Sequence, residues 1–164
     1  MKKRLLSLLL ALTMALSLAT TGAWAADQDS IRVTVTIANQ GAIAVGKNDT
    51  LMAQVPVTVT DGKFTYDEAM VAAHEAYYVE GKDGFELNAS SGWVTKLWGE
   101  TGSSSYYQNN ASFRELVNAQ PIENGDDLSA FVYSDPKCSD KYGFFDQSTV
   151  SVKTGEKLAL NLQG

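Results

Sequence analysis

Alternation of apolar and polar positions marks the strands of this chain. Residues 31–38 run Ile-Arg-Val-Thr-Val-Thr-Ile-Ala, which puts Ile31, Val33, Val35 and Ile37 on one face and Arg32, Thr34 and Thr36 on the other. A period of two over that length predicts a half-buried β-strand. Asn39-Gln40-Gly41 predicts a turn, and Ile43-Ala44-Val45 a short return that ends at Gly46-Lys47-Asn48-Asp49. Residues 52–60 repeat the alternation through Val55, Val57 and Val59. Pro56 lies on the opposite face and has no N–H for a ladder, so this strand is expected at a sheet edge. Asp61-Gly62 is a turn signal.

The period then becomes helical. Thr65 and Glu68 have capping-box spacing, Asp67 and Glu68 suit the positive end of a helix dipole, and Met70, Ala73, His74 and Tyr77 recur on one face before Gly81. These features predict a helix over 66–79. Ser112 and Glu115 form a second capping-box pattern, which predicts a short helix through Phe113, Leu116 and Val117 that Pro121 ends. The segment 81–110 between them is rich in Gly, Ser and Asn. It holds one strand pattern, 93–98, and exposed-loop compositions at 103–105 and 108–110.

A strand is expected at 128–133, after Gly125-Asp126-Asp127. Val150 and Val152, then Leu158, Leu160 and Leu162, alternate around Thr154-Gly155-Glu156. The expected core contains Ile31 or Val33, Val35, Val57, Val59, Met70, Ala73, Leu128, Ala130 and Val132. Two strands, a helix and later strands on one sheet predict an α+β fold: a β-grasp-like mixed sheet crossed by one main helix, with a C-terminal β-hairpin.

The first 25 residues follow another logic. Lys2, Lys3 and Arg4 precede an apolar run from Leu5 to Leu18, and Ala23-Trp24-Ala25 supplies the small-x-small pattern of a cleavage site. Together they predict a signal peptide, with the mature chain beginning at Ala26. The run is shorter than the ~20 residues a membrane-spanning helix needs. The expected organisation is therefore signal peptide 1–25, β-grasp-like domain 26–141, and a C-terminal β-hairpin or the start of a truncated further module at 142–164. The expected location is secreted, extracellular or at the cell surface, with no membrane insertion after cleavage.

Charge narrows the partners. The whole chain carries a formal −6; without Lys2, Lys3 and Arg4, 10 basic side chains remain against 19 acidic ones, a net charge of −9. A field of that sign repels nucleic acid and anionic membranes. The one cysteine, Cys138, cannot close an internal disulfide and is read as a partly buried or incidental thiol.

Several segments together resemble a known family. They are Val57-Thr58-Val59-Thr60-Asp61-Gly62 leading into Thr65 and an alanine-rich helix, Ser91-Gly92-Trp93, and Gly125-Asp126-Asp127-Leu128 before Phe131-Val132-Tyr133. The chain resembles, over about residues 31–134, a bacterial domain-of-unknown-function family similar to the C-terminal β-grasp domain of transcobalamin and intrinsic factor. Members of that family run from Gly-Trp into a Tyr-x-Val-Asn-Gly hairpin, whereas here residues 94–100 and a Ser/Asn-rich insertion follow. Residues 142–156 resemble the lead-in to repeated modules of large surface proteins of gut Firmicutes. The resemblance implies a β-grasp fold and a small soluble ligand of corrinoid type.

No catalytic constellation emerges from the residues themselves. His74, the single histidine, has no motif-borne nucleophile, no Gly-x-Ser-x-Gly elbow occurs, and the surroundings of Cys138 match no cysteine-nucleophile signature. Glu86 and Glu100 flank the Trp-rich strand where a sugar would lie, which keeps a small carbohydrate-active enzyme as one alternative. Asp126, Asp127, Asp135, Asp140 and Asp146 offer oxygens to calcium, although their spacing is not that of an EF-hand and solvated turn aspartates account for it equally. No metal or cofactor is assigned.

Aromatic residues remain. Trp93, Trp98, Tyr106 and Tyr107 fall within 15 residues, and Trp93 and Trp98, an odd number apart, face opposite sides of a strand. The candidate ligand-binding residues are Trp98, Tyr106 and Tyr107, with Asn109 and Asn110 as hydrogen-bonding partners. The expected function is a non-catalytic binding or adhesion module, exported to a bacterial surface or secreted. Its partner is an extracellular protein, a glycan or a small soluble ligand.

Overall fold

The structure, a computed structural model, describes residues 29–60, 62–147 and 150–164. The expected signal peptide and its cleavage site lie outside the described residues. Alternation gives the strands and helical periodicity the helix. β1 (Ser30–Asn39), β2 (Ala42–Ile43) and β3 (Val55–Thr60) are followed by α1 (Tyr66–Tyr77). Next come β4 (Glu86–Leu87), β5 (Val94–Lys96), β6 (Ser104–Gln108), β7 (Ala111–Ser112) and β8 (Asp127–Val132). β9 (Phe144–Phe145) and β10 (Leu162–Gln163) form a small antiparallel pair near the C-terminus.

The fold is mixed α+β, mostly sheet with one α-helix among the described residues. The central pair is β1 and β8, which run parallel with Val35 opposite Leu128 and Ile37 opposite Ala130. β3 lies antiparallel along the first half of β1, and β2 pairs with its last two residues. Beyond β8 come β6 and then β7, both antiparallel to their neighbours. β3 is an edge strand, as Pro56 requires.

Register fixes the two faces, because side chains opposite one another point the same way. One face presents Ile31, Val33, Val35 and Ile37 with Val55, Val57, Val59, Leu128, Ala130 and Val132, all buried. α1 crosses it and contributes Tyr66, Ala69, Met70 and Ala73. Every residue expected in the core is there. The other face carries Thr34, Thr36 and Ala38 of β1 beside Asp127, Ser129 and Phe131 of β8, with Tyr107 and Ser105 of β6 alongside.

Three local expectations are corrected. α1 ends at Tyr77, and the Thr65 side chain makes no capping hydrogen bond to the helix backbone; its hydroxyl donates to the Asp67 carboxylate at 2.6 Å. The first helical N–H groups go instead to another segment: Tyr66 N–H donates to Gln120 O (2.9 Å) and Asp67 N–H to Val117 O (3.1 Å). Residues 113–120 form bends and turns rather than the expected second helix, with the Ala119 and Gln120 N–H groups both donating to Leu116 O. Finally, 103–105 and 108–110 are loop only in part: Ser103 is exposed outside the strand and Asn109-Asn110 is the hairpin turn to β7, but Ser104, Ser105 and Gln108 belong to β6 inside the sheet. Both asparagines have positive φ (52° and 64°), as a two-residue turn of the primed type demands.

At the C-terminus, Thr154-Gly155 does turn, with Glu156 N–H donating to Lys153 O at 3.0 Å. The paired strands, however, are β9 and β10, and Leu158 and Leu160 lie outside regular structure.

Candidate functional site

Aromatic side chains gather on both faces of the sheet. On the helix side, His74, Tyr78, Phe85 and Trp98 pack together, with the His74 and Trp98 rings 5.0 Å apart. Trp98 and Gly99 occupy a two-residue hairpin turn closed by reciprocal 3.0 Å hydrogen bonds between Leu97 and Glu100. Their φ angles of 51° and 79° are those of a primed turn. The Trp98 backbone N–H donates to His74 Nε2 at 2.9 Å, and its indole N–H to Val45 O at 3.3 Å. A backbone N–H can only donate, so His74 Nε2 is the acceptor and Nδ1 carries the proton, which it gives to Met70 O at 2.6 Å. Burial lowers the His74 pKa from 6.5 to about 4. This neutral, doubly bonded imidazole is a core element with no free nitrogen for catalysis or metal.

The opposite face has a different character. Tyr142 folds back over the sheet and stacks on Tyr107, with ring centroids 3.9 Å apart and planes 16° apart, while Phe131 lies nearly parallel to both. The Tyr142 hydroxyl is directed at two acceptors, Asn110 Oδ1 at 2.9 Å and Ser129 Oγ at 3.1 Å. Burial raises the Tyr142 pKa, so the phenol keeps its proton and the bond to Asn110 at neutral pH.

Between this segment and the sheet is a cavity of about 450 Å³. Thr36, Ala38 and Ser129 lie along its sheet wall, Phe131 and Asp127 at two ends of the β8 register, and Tyr142, Phe144 and Phe145 on the covering side. Asp127 accepts Thr34 Oγ1–H at 2.9 Å and Gln54 Nε2–H at 3.3 Å. Mixed apolar walls with a few oriented polar groups are what a small-molecule site consists of.

The five candidate residues are divided by this geometry. Trp98, expected at a contact surface, is instead buried at 6% exposure, because the primed turn points its ring at His74. Trp93 is the exposed tryptophan, at 70%. Tyr106 faces the helix, edge-on to Tyr66 at 5.7 Å, whereas Tyr107, one residue on, faces the cavity side and supports Tyr142. Asn109 locks the β6–β7 turn to β8: its Nδ2 donates to Asp126 Oδ1 (2.7 Å) and its Oδ1 accepts Asp127 N–H (2.9 Å). Asn110 lines the cavity.

The aspartates weighed for calcium serve turns. Asp135 accepts Lys137 N–H, Asp140 accepts the Ser134 hydroxyl, and Asp146 accepts the Asn161 amide. Among the described residues, no three His, Cys, Asp or Glu side chains gather as a metal site would need. Glu86 pairs with Lys96 at 3.6 Å on the surface. Cys138 is exposed and unpaired, not partly buried.

A mixed α+β domain with a cavity on the uncrossed face of its sheet is thus the class of protein described by fold and site. No protein-family model and no curated protein matches the sequence. Among solved structures, one of haptocorrin in complex with Cbi is distantly similar in fold. Sequence identity is 17% and the TM-score 0.44, over 65% of this chain and 26% of the haptocorrin chain. The chain thus spans about a quarter of that protein's length.

Proposed function

We propose that the chain is an exported, non-catalytic module that binds a small soluble ligand in the cavity between the sheet and Tyr142–Phe145. The observation that carries this reading is the cavity itself: about 450 Å³, walled by aromatic rings, with Asp127, Ser129 and Asn110 as oriented polar groups. Export rests on the sequence pattern of residues 1–25. The absence of a nucleophile–base pair in the sequence and the full engagement of His74 support a binding role over a catalytic one. The β-grasp reading of the fold is supported by the order β3-β1-β8-β6, with a hairpin, a crossing helix and a parallel return.

The test is a thermal-shift screen of small soluble compounds, corrinoids among them, on the native chain and on Ala38→Phe. Ala38 lies on the sheet wall, half-buried, and a phenyl ring there fills the space. Ligands of this site raise the Tm of the native chain and leave that of Ala38→Phe unmoved. If every stabilising compound acts equally on both, the reading fails.

A second reading, contact with an extracellular protein or glycan, is favoured by Trp93 alone. Its side chain stands in solvent, next in the chain to Gly92, which packs against Leu116 so closely that an added Cβ would meet it at 2.7 Å. Solvent-facing tryptophans are common contact anchors. Glycan-array or pull-down binding lost in Trp93→Ala, with the Tm unchanged, supports it; binding retained in that variant removes it.

A further inference from the structure

The groups around the cavity narrow the chemistry of its occupant, on the reading that the cavity is a ligand site. Asp127 presents a carboxylate to the wall, and its two hydrogen-bond donors, Thr34 and Gln54, are neutral. They orient the carboxylate without cancelling its charge. Within the described residues the ion pair found is Lys96–Glu86, elsewhere on the surface, so no cation pairs with Asp127. The second carboxylate on the lining, Asp140, is held by the Ser134 hydroxyl at 2.7 Å. Lys141 is the one basic residue of the lining, and it is solvent-exposed on the covering segment.

The rest of the wall is aromatic. Phe131, Tyr142, Phe144 and Phe145 line the same space, and the face of an aromatic ring carries negative electrostatic potential. A carboxylate with neutral partners, on the same lining as several aromatic rings, attracts a positive group and repels an acidic one. The acidic balance of the whole chain, formally −6, adds a long-range field of the same sign. Hydroxyls at Thr36 and Ser129 lie between Asp127 and the rings and suit an ammonium or a nearby hydroxyl of the ligand.

We propose that the cavity takes a small organic cation, an ammonium group on an apolar or aromatic body, with the ammonium against Asp127 and the body against Phe131, Tyr142 and Phe144. Ring faces and carboxylate act together: the rings exclude water from the ammonium, which strengthens its attraction to Asp127. The same arrangement rejects carboxylates and phosphates of equal size.

Three probes of one shape test it on the full chain: 2-phenylethylammonium, 2-phenylethanol and 3-phenylpropanoate, titrated by calorimetry with the ring proton signals of Tyr142 and Phe131 as the local readout. The ammonium is expected to bind about tenfold or more tightly than the alcohol, with the carboxylate weakest. Asp127→Asn levels ammonium and alcohol; Gln54→Ala, which removes one neutral donor from the carboxylate, keeps the preference or sharpens it. Added salt weakens the ammonium and leaves the alcohol unaffected, a readout that stands even if Asp127→Asn fails to fold. Equal binding of ammonium and alcohol, or preference for the carboxylate, overturns the cation proposal and leaves a ligand site standing. Absence of binding by all three overturns the proposal and counts against the small-ligand reading as well.

Discussion

At the scale of single residues, His74 and Trp98 form one unit. The imidazole gives its one proton to Met70 O and takes the Trp98 N–H, so a second proton on the ring would face a donor with nowhere to go. The folded-state pKa, about 4, lies below the unfolded 6.5, so the unfolded chain binds more protons between those values. Stability therefore rises with pH from about 4 to 6.5 and levels off above, with roughly 3 kcal/mol at stake across the window. The expected outcome is that urea midpoints measured from pH 4 to 8 fall on the acid side in the native chain. In His74→Phe that fall is shallower, and the variant is less stable at pH 7 by about 1–3 kcal/mol because Met70 O and the Trp98 N–H lose their partner. A variant that titrates like the native chain would remove His74 from this role. Alternation along the expected strand 93–98 puts Trp93 and Trp98 on opposite sides, but neither lies in β5: the strand ends at Lys96, and a turn, not a pleat, directs Trp98.

At the scale of elements, the long alternating strands and the apolar periodicity of α1 were readable because each buries one whole face. The bounds of β1, β8 and α1 differ from expectation by only a residue or two, and β3 begins at Val55, three residues after the expected start. The short elements were readable only in part: β5 falls within the strand expected at 93–98 and β2 overlaps the expected return at Ile43, whereas β6 and β7 were not expected as strands. β6, Ser104–Gln108, carries a polar composition and belongs to the sheet because β8 offers it a partner, a long-range fact that no window of sequence contains. The helix starts teach the same lesson. The Thr65–Glu68 pattern suggests a capping box, yet the N–H groups of Tyr66 and Asp67 are taken by Gln120 O and Val117 O. Loss of a working cap typically costs about 1 kcal/mol. Thr65→Ala is therefore expected to cost less than that, a few tenths of a kcal/mol, since it removes a hydroxyl that bonds a carboxylate and not the backbone. Equilibrium denaturation checks this, and a loss of a full kcal/mol or more would mean that Thr65 does cap α1 in solution.

At the scale of the molecule, the sheet has one face crossed by α1 and another covered by residues 142–145. The candidate site belongs to the second, and for that reason the sequence hid it. Asp127, Ser129 and Phe131 read as the alternate positions of a strand, and they become a wall only when Tyr142 returns from beyond the strand to stack on Tyr107. Among the described residues, the core between sheet and helix contains none after Val132, whereas the covering wall of the cavity is made by the last segment. A chain ending at Lys141 should therefore unfold cooperatively, with a circular dichroism spectrum close to that of the full chain. Its loss of stability is expected at about 1–3 kcal/mol, of which ring stacking accounts for roughly 0.5–1.5 and the remaining burial of Tyr142 for the balance. The same variant bares Phe131 and Tyr107, so it should bind a hydrophobic dye that the full chain ignores and lose every ligand of the cavity. A shortened chain that fails to fold would instead make residues 142–164 part of the domain rather than a cover laid over it.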